Sequence, residues 1–325
     1  MTRILISAVI SCALTGVIGY LLLPVLRALK VGQSIREVGP TWHNYKAGTP
    51  MMGGLMFIFA AILCLLGNLG FMKDYSVFYV LILSLCFGFV GFLDDFAKLK
   101  KKQNEGLTSL QKALLQMAVS ALFLYAMYKT GGMSSALYIP FFNVSFQIHP
   151  ILYIFFAMFV MVGCVNAVNL TDGVDGLSSS VTIPVMVFFT MAAVALGKYE
   201  LALLPASLVG GLIAYLFYNW HPAKVFMGDT GSLFLGGVVC ALAFALEMPL
   251  ILVLVGIIYI IETLSVILQV TYFKLTHGKR IFKMAPLHHH YEMCGWKEER
   301  IVITFAAVSA VMCLLAWFGI SGLIH

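Results

Sequence analysis

Six aspartates occur in this chain, and five of them stand in three short motifs, each at the end of a long apolar run. They are Asp94 and Asp95 in FLDDFAK (92–98), Asp172 and Asp175 in NAVNLTDGVDG (166–176), and Asp229 in KVFMGDTGS (224–232). A carboxylate at bilayer depth costs about 2.5–3.5 kcal/mol on insertion scales, so this clustering needs a compensating partner. The partner that most often unites several carboxylates is a divalent cation held by oxygen ligands. The pattern predicts a membrane enzyme with a metal-dependent polar site.

Each motif also has a plainer reading. Asp94 and Asp95 are adjacent, so on a helix they point about 100° apart and cannot share one role. One of them could simply pair with Lys98 at a solvated helix end. Asn166, Asn169, Asp172 and Asp175 recur every third residue. On an unbroken helix that spacing drifts by about 180° over the motif, so the four could not meet one target. Gly173 and Gly176 suggest that the helix ends there and the later carboxylates bend round, or that Asp172 or Asp175 caps the next helix. Asp229, between Gly228 and Gly231, could likewise be an N-cap, at a helix start that also suits an anion.

The longest polar stretch, 274–300, carries Lys279, Arg280, Lys283 and the run His288, His289, His290. Three consecutive histidines cannot all face one metal. Beside a phosphate-handling site, His and Lys more naturally donate to phosphate oxygens. In the preceding apolar run, Glu262, Ser265 and Gln269 fall on one helix face, a polar stripe that must meet protein or a water-filled cavity. No Walker-type glycine loop, Ser-His-Asp order or H-E-x-x-H string is present.

The elements that carry these residues are membrane spans. Hydrophobic residues make up 61% of the 325 and charged residues 10%, with mean hydropathy +0.98. A spanning helix takes about 20 apolar residues, which leaves room for roughly ten spans. Apolar runs near 4–29, 52–72, 76–93, 110–128, 151–170, 180–196, 201–218, 232–247, 249–273 and 301–323 supply them. The expected fold is an all-α polytopic membrane protein, one integral domain over 1–325, with a small hairpin between 133 and 149. The first run is too long for a signal-peptide core and is read as the first span. The seven scattered cysteines read as apolar filler.

Alternating the loops puts sixteen of the 20 Lys and Arg on one side, against Arg3, Lys73, Lys129 and Lys198 on the other. The positive-inside rule then places both termini outside and the loops near 30–51, 94–110, 170–179, 219–231 and 274–300 in the cytoplasm. All three aspartate motifs fall on that cytoplasmic side, although they were not used to assign it. The net charge of +6 is thereby explained by topology and anionic lipid, and nucleic acid need not be invoked.

FLDDFAK, NAVNLTDGVDG, FMGDTGS and APLHHHYE closely resemble the phospho-N-acetylmuramoyl-pentapeptide transferase family, of the polyprenyl-phosphate N-acetylhexosamine-1-phosphate transferase superfamily. The resemblance runs from about Lys46 to Trp296. PLHHHYE and KAGTPMMGG (46–54) are similar to the muramoyl-pentapeptide branch rather than the N-acetylglucosamine branches. One departure is Met51, where the family usually has a second Thr, so a hydroxyl contact from that position is lost.

The resemblance implies transfer of phospho-MurNAc-pentapeptide from UDP-MurNAc-pentapeptide to undecaprenyl phosphate, giving lipid I and UMP at the bacterial inner membrane. It implies Mg²⁺ with Asp229 as ligand, a phosphate on Lys112, Asp94 at or near the acceptor phosphate, and Asp95 in support. Asn169, Asp172, Asp175, Asn219, Phe226 and Gln269 would line the nucleotide or diphosphate pocket, with Lys46 at its edge. His288 is expected in the catalytic set, and His289 and His290 on the donor. A homodimer is implied as well. Two other readings remain: a relative that uses UDP-N-acetylglucosamine, and a transporter of phosphorylated solutes.

Overall fold

The computed structural model describes residues 1–28, 48–101, 106–129 and 134–324. Among them, eight helices are long and apolar enough to cross a membrane. They are α1 (Thr2–Ala28), α3 (Ser76–Lys101), α4 (Ser109–Lys129), α5 (Pro150–Thr171), α6 (Leu177–Ala195), α8 (Gly228–Ala245), α10 (Ile257–Leu275) and α12 (Glu298–Gly319). Two shorter apolar helices complete the ten expected runs: α2 (Leu55–Asn68), extended by a 3-10 turn to Phe71, and α7 (Leu203–Asn219). The chain is an all-α polytopic membrane protein.

Burial sorts these helices into centre and rim. In α8, 83% of the apolar window is buried, against 17% in α4 and 22% in α1. Around α8 pack α3, α5 and α6, with the start of α2 against its first turn. Outer helices keep large apolar side chains exposed, Leu114 and Leu122 of α4 and Val9 and Tyr20 of α1 among them. In lipid an apolar outer surface is the stable one, because hydrocarbon cannot solvate polar side chains, and the helical backbone bonds its own polar groups along the span.

The hairpin forms where alternation placed it. Strand β1 (Ala136–Ile139) pairs antiparallel with β2 (Val144–Gln147), with Ala136 opposite Gln147. It docks on the end of α12, where Tyr138 Oη and the Phe141 N–H both donate to the Gly319 carbonyl at 3.1 and 3.0 Å.

Three boundaries differ from the sequence reading. The run 249–273 is interrupted: a 3-10 turn (Pro249–Ile251) and a short α9 (Leu252–Val255) precede Gly256, after which α10 begins. Helix α3 continues past the apolar run to Lys101, so Asp94 and Asp95 lie on a helix and not in a loop. The stretch 274–300 contains α11 (Leu287–Met293), which carries all three histidines.

Candidate active site

Four helix ends meet at one end of the bundle, opposite the hairpin. They are the last turns of α3 and α5 and the first turns of α4 and α8. Gly91, one turn before Asp94, lies against the backbone of Asp229 and Thr230, and a Cβ there would collide with it. This close approach brings Asp94 and Asp95 to the start of α8.

The two neighbours then do different things, as their 100° separation requires. Asp95, 1% exposed, caps α8 from another helix. Its carboxylate accepts the N–H of Asp229 at 3.1 Å and of Thr230 at 2.9 Å, and the Thr230 hydroxyl at 2.7 Å. Two of the orphan amides of the helix start are thereby satisfied, and the helix dipole favours the charge. Asp229 is therefore not the cap of α8: it sits inside the first turn, free to project sideways. Asp94 accepts the Leu107 N–H at 2.8 Å and pairs with Lys98 at 2.6 Å.

Asp229 is the hub. Its Oδ2 accepts from Lys112 Nζ at 2.8 Å and from Lys98 Nζ at 3.1 Å, and its Oδ1 accepts from Asn169 Nδ2 at 2.8 Å. Asn169 also donates to Ser232 Oγ at 2.8 Å, while Lys112 reaches Asn169 Oδ1 at 3.4 Å. One turn deeper, Gln116 and Asn166 exchange amide hydrogen bonds at 3.2 and 2.7 Å. That pair locks α4 to α5 and sets the reach of Lys112 and Asn169 above it.

Oxygens of Asp94, Asp95 and Asp229 all lie within 4.8 Å of one another. Three hard anionic donors at that spacing suit Mg²⁺. Two ammonium groups face three carboxylates, so the cluster has a formal charge of minus one. That balance favours added positive charge, and the two lysines are correctly charged to hold phosphate oxygens.

The remaining expected residues separate into neighbouring groups. Helix α5 ends at Thr171 with Asp172, half-buried, in the capping position, and α6 begins after Gly176 in a left-handed conformation. Neither aspartate caps α6. Asp175 turns away from Asp229: its Oδ2 accepts the Ala223 N–H at 3.0 Å and lies 3.2 Å from His221 Nδ1, with Glu298 3.6 Å from the same nitrogen. Asn219 is buried between segments, accepting the Gly176 N–H at 3.0 Å and donating to the Val225 carbonyl at 2.9 Å. Phe226 is half-buried, and its backbone bonds Pro50 and Gly53. Met51 packs partly buried against the core. Lys46 lies outside the described residues.

The polar stripe of α10 holds the histidine segment in place. Glu262, fully buried, accepts the His288 N–H at 3.1 Å on one oxygen and faces His288 Nδ1 at 2.9 Å with the other. His288 is 1% exposed, and its Nε2 has no hydrogen-bond partner. That edge of the ring is turned onto Gly173, where any side chain would collide with it. Two turns along, Gln269 accepts the N–H groups of Ile281 and Phe282 at 3.1 and 3.0 Å and donates to the Phe282 carbonyl at 3.1 Å. His289 pairs with Glu292 at 2.5 Å, and His290 accepts the Lys283 N–H at 3.1 Å.

Sequence reasoning missed Lys98 as a member of the cluster, and missed His221 and Glu298 altogether. Lys98 had a signal, being three and four residues beyond Asp95 and Asp94. His221 and Glu298 had none, since only folding brings them to Asp175 across 46 and 123 residues.

Comparison with known proteins adds the family. The glycosyl transferase family 4 model matches residues 77–247, the stretch that contains all three aspartate motifs. A phospho-N-acetylmuramoyl-pentapeptide-transferase of Clostridium perfringens is 50% identical over 315 residues, covering 97% of this chain and 98% of its own. Proteins of the same name from Clostridium acetobutylicum and a Geobacillus species are 47% and 43% identical, each covering 95% or more of both chains. Similarity of that extent runs over nearly the whole chain, and the chain belongs to the phospho-N-acetylmuramoyl-pentapeptide-transferase family.

Proposed function

We propose that this protein transfers phospho-MurNAc-pentapeptide from UDP-MurNAc-pentapeptide to undecaprenyl phosphate, forming lipid I and releasing UMP, and that it requires Mg²⁺. The observation that carries the reading is the hub at Asp229, where an anionic cluster and two lysines meet at the ends of membrane helices. A phosphoryl transfer between a nucleotide and a lipid needs that combination.

The protein's tasks are alignment and charge neutralisation. Lys112 and Lys98 hold phosphate oxygens of the donor. Asp229, with Asp94 beside it, would hold Mg²⁺, which when bound supplies Lewis-acid charge to the diphosphate. Asp95 fixes the first turn of α8 and thereby the direction of Asp229. The lipid phosphate has a second pKa near 6, so at pH 7 most of it is already a dianion. It attacks the sugar-linked phosphorus in line, the bond to the UMP oxygen breaks, and UMP leaves. Asp94 then tunes the acceptor phosphate rather than taking a proton from it. Asn169, Asp172, Asp175 and Phe226 border the donor, while Asn219, Gln269 and the Glu262–His288 pair keep the surrounding segments in place. His289 and His290 lie on the segment proposed to meet the sugar and peptide.

We place this end of the bundle in the cytoplasm, on the charge asymmetry, and take the working form as a homodimer. Detergent-solubilised protein incubated with Mg²⁺, polyprenyl phosphate and either UDP-MurNAc-pentapeptide or UDP-N-acetylglucosamine tests the assignment. UMP release is expected with the first donor and only weakly with the second. Preference for the second donor would move the protein to the other branch, and no release with either would favour a transporter.

A further inference from the structure

We propose that Lys98 is a built-in counter-cation of the site: its ammonium holds the place between Asp94, Asp95 and Asp229 until a divalent ion takes it, and then moves onto the donor diphosphate. The proposal rests on the metal reading above. Its Nζ lies 2.6 Å from Asp94, 3.1 Å from Asp229 and 3.7 Å from Asp95, the three groups whose oxygens form the candidate cation site. No other ammonium is shared in this way among the described residues. Lys112 contacts Asp229 and Asn169 from α4, and touches neither Asp94 nor Asp95.

At this position the ammonium competes with a divalent ion for the inward-facing oxygens of Asp94 and Asp229. The two cations repel, and both need the same lone pairs of Asp229 Oδ2 and Asp94 Oδ2. The ammonium is the mobile partner, being a point charge on a flexible four-carbon stem. The side chains of Lys98 and Asp229 are 21% and 16% exposed and those of Asp94 and Asp95 only 4% and 0%, so the cluster is open on the side of Lys98 and Asp229, and the lysine has room to move toward it. Once displaced, an ammonium on this short tether remains beside the phosphates that the metal would hold. It thus keeps the carboxylates apart before metal arrives and adds a phosphate contact afterwards.

A lysine that only braces the helix predicts the opposite response to its removal, because losing a brace loosens the ligands. The test is Mn²⁺ binding by the full-length detergent-solubilised protein without substrates, read from the free-ion electron paramagnetic resonance signal. Lys98→Met should bind Mn²⁺ at least tenfold more tightly than the parent. Lys98→Arg, whose fork spans carboxylates more firmly, should bind it more weakly, and Asp229→Asn should lose it. Unchanged or weaker binding by Lys98→Met overturns the proposal. If that variant does not fold, the Arg variant decides, and parent-like binding there overturns it. Absence of Mn²⁺ binding in the parent and in Lys98→Met alike would remove the metal reading together with the exchange. With Mn²⁺ saturating, UDP should bind Lys98→Met several-fold more weakly than the parent, and equal UDP affinity would remove the phosphate half of the proposal.

Discussion

Asp229 accepts from three nitrogens at once, so an Asn in its place keeps the shape but gives up the charge on which Lys98, Lys112 and a metal depend. Asp229→Asn is expected to lower turnover by about 10³-fold, on the scale of losing a main electrostatic contact. Circular dichroism should show the helices intact. Near-normal Mg²⁺-dependent turnover would take Asp229 out of the ligand set. Asp94 and Asp95 should part company under the same change. Asp94→Asn is expected to keep measurable activity, rising with pH through the second ionisation of the lipid phosphate near 6, because the acceptor brings its own dianion. Complete loss at every pH would make Asp94 an essential base, metal ligand or nucleophile. Asp95→Asn should instead lower thermal stability by about 1–3 kcal/mol, since it breaks a charged cap with three hydrogen bonds.

At the scale of elements, α10 acts as a rail that positions the segment 279–293. Glu262 grips its helical part and Gln269 the irregular stretch before it, with Ser265 buried between them. A carboxylate bonded to Nδ1 selects the tautomer that leaves Nε2 turned to Gly173. Glu262→Gln and His288→Ala should therefore each reduce kcat/KM, and the double variant should be little worse than His288→Ala alone. A coupling of about 1.5–3 kcal/mol is expected, as for a buried charged hydrogen bond. Fully additive effects would mean that the two residues act separately. Alanine at His290, which binds only the backbone of its own segment and faces Cys294 at 3.8 Å, should matter least of the three.

For the whole molecule, the proposed cytoplasmic orientation of the site is tested at a single cysteine. Cys294 is exposed at the end of α11, on the segment held by α10, and so reports on the membrane face that the site occupies. In sealed cells a membrane-impermeant thiol reagent should leave it unlabelled, and in inverted vesicles it should react. Cys86 is also exposed, but it lies midway along α3 among lipid-facing side chains, so a Cys294→Ser control should abolish the signal. Labelling from outside would reverse the orientation and separate the site from a cytosolic nucleotide donor.

Much of this protein is determined locally, by residues whose surroundings are lipid. An apolar run of span length has helix as its only stable state there, and so α1, α4, α5, α6, α8 and α12 follow from hydropathy, each within a few residues, as does the start of α3, which then runs on through its charged end to Lys101. Scarce charge was equally legible, because a carboxylate at a span end has to have a partner; this singled out Asp94, Asp95, Asp172, Asp175 and Asp229 alike, without saying which of them meet. Tertiary structure decided which partner each one has. Nothing local distinguishes Asp94 from Asp95, yet the approach of α3 at Gly91 turns one into a cap for α8 and the other toward Lys98. Nor does spacing say that Asp175 leaves the cluster for His221 and Glu298, or that Glu262 meets His288 across 26 residues. Hydropathy is a property of one segment and survives in any fold. A hydrogen bond between distant residues depends on how helices cross, and that is settled only when all of them pack together.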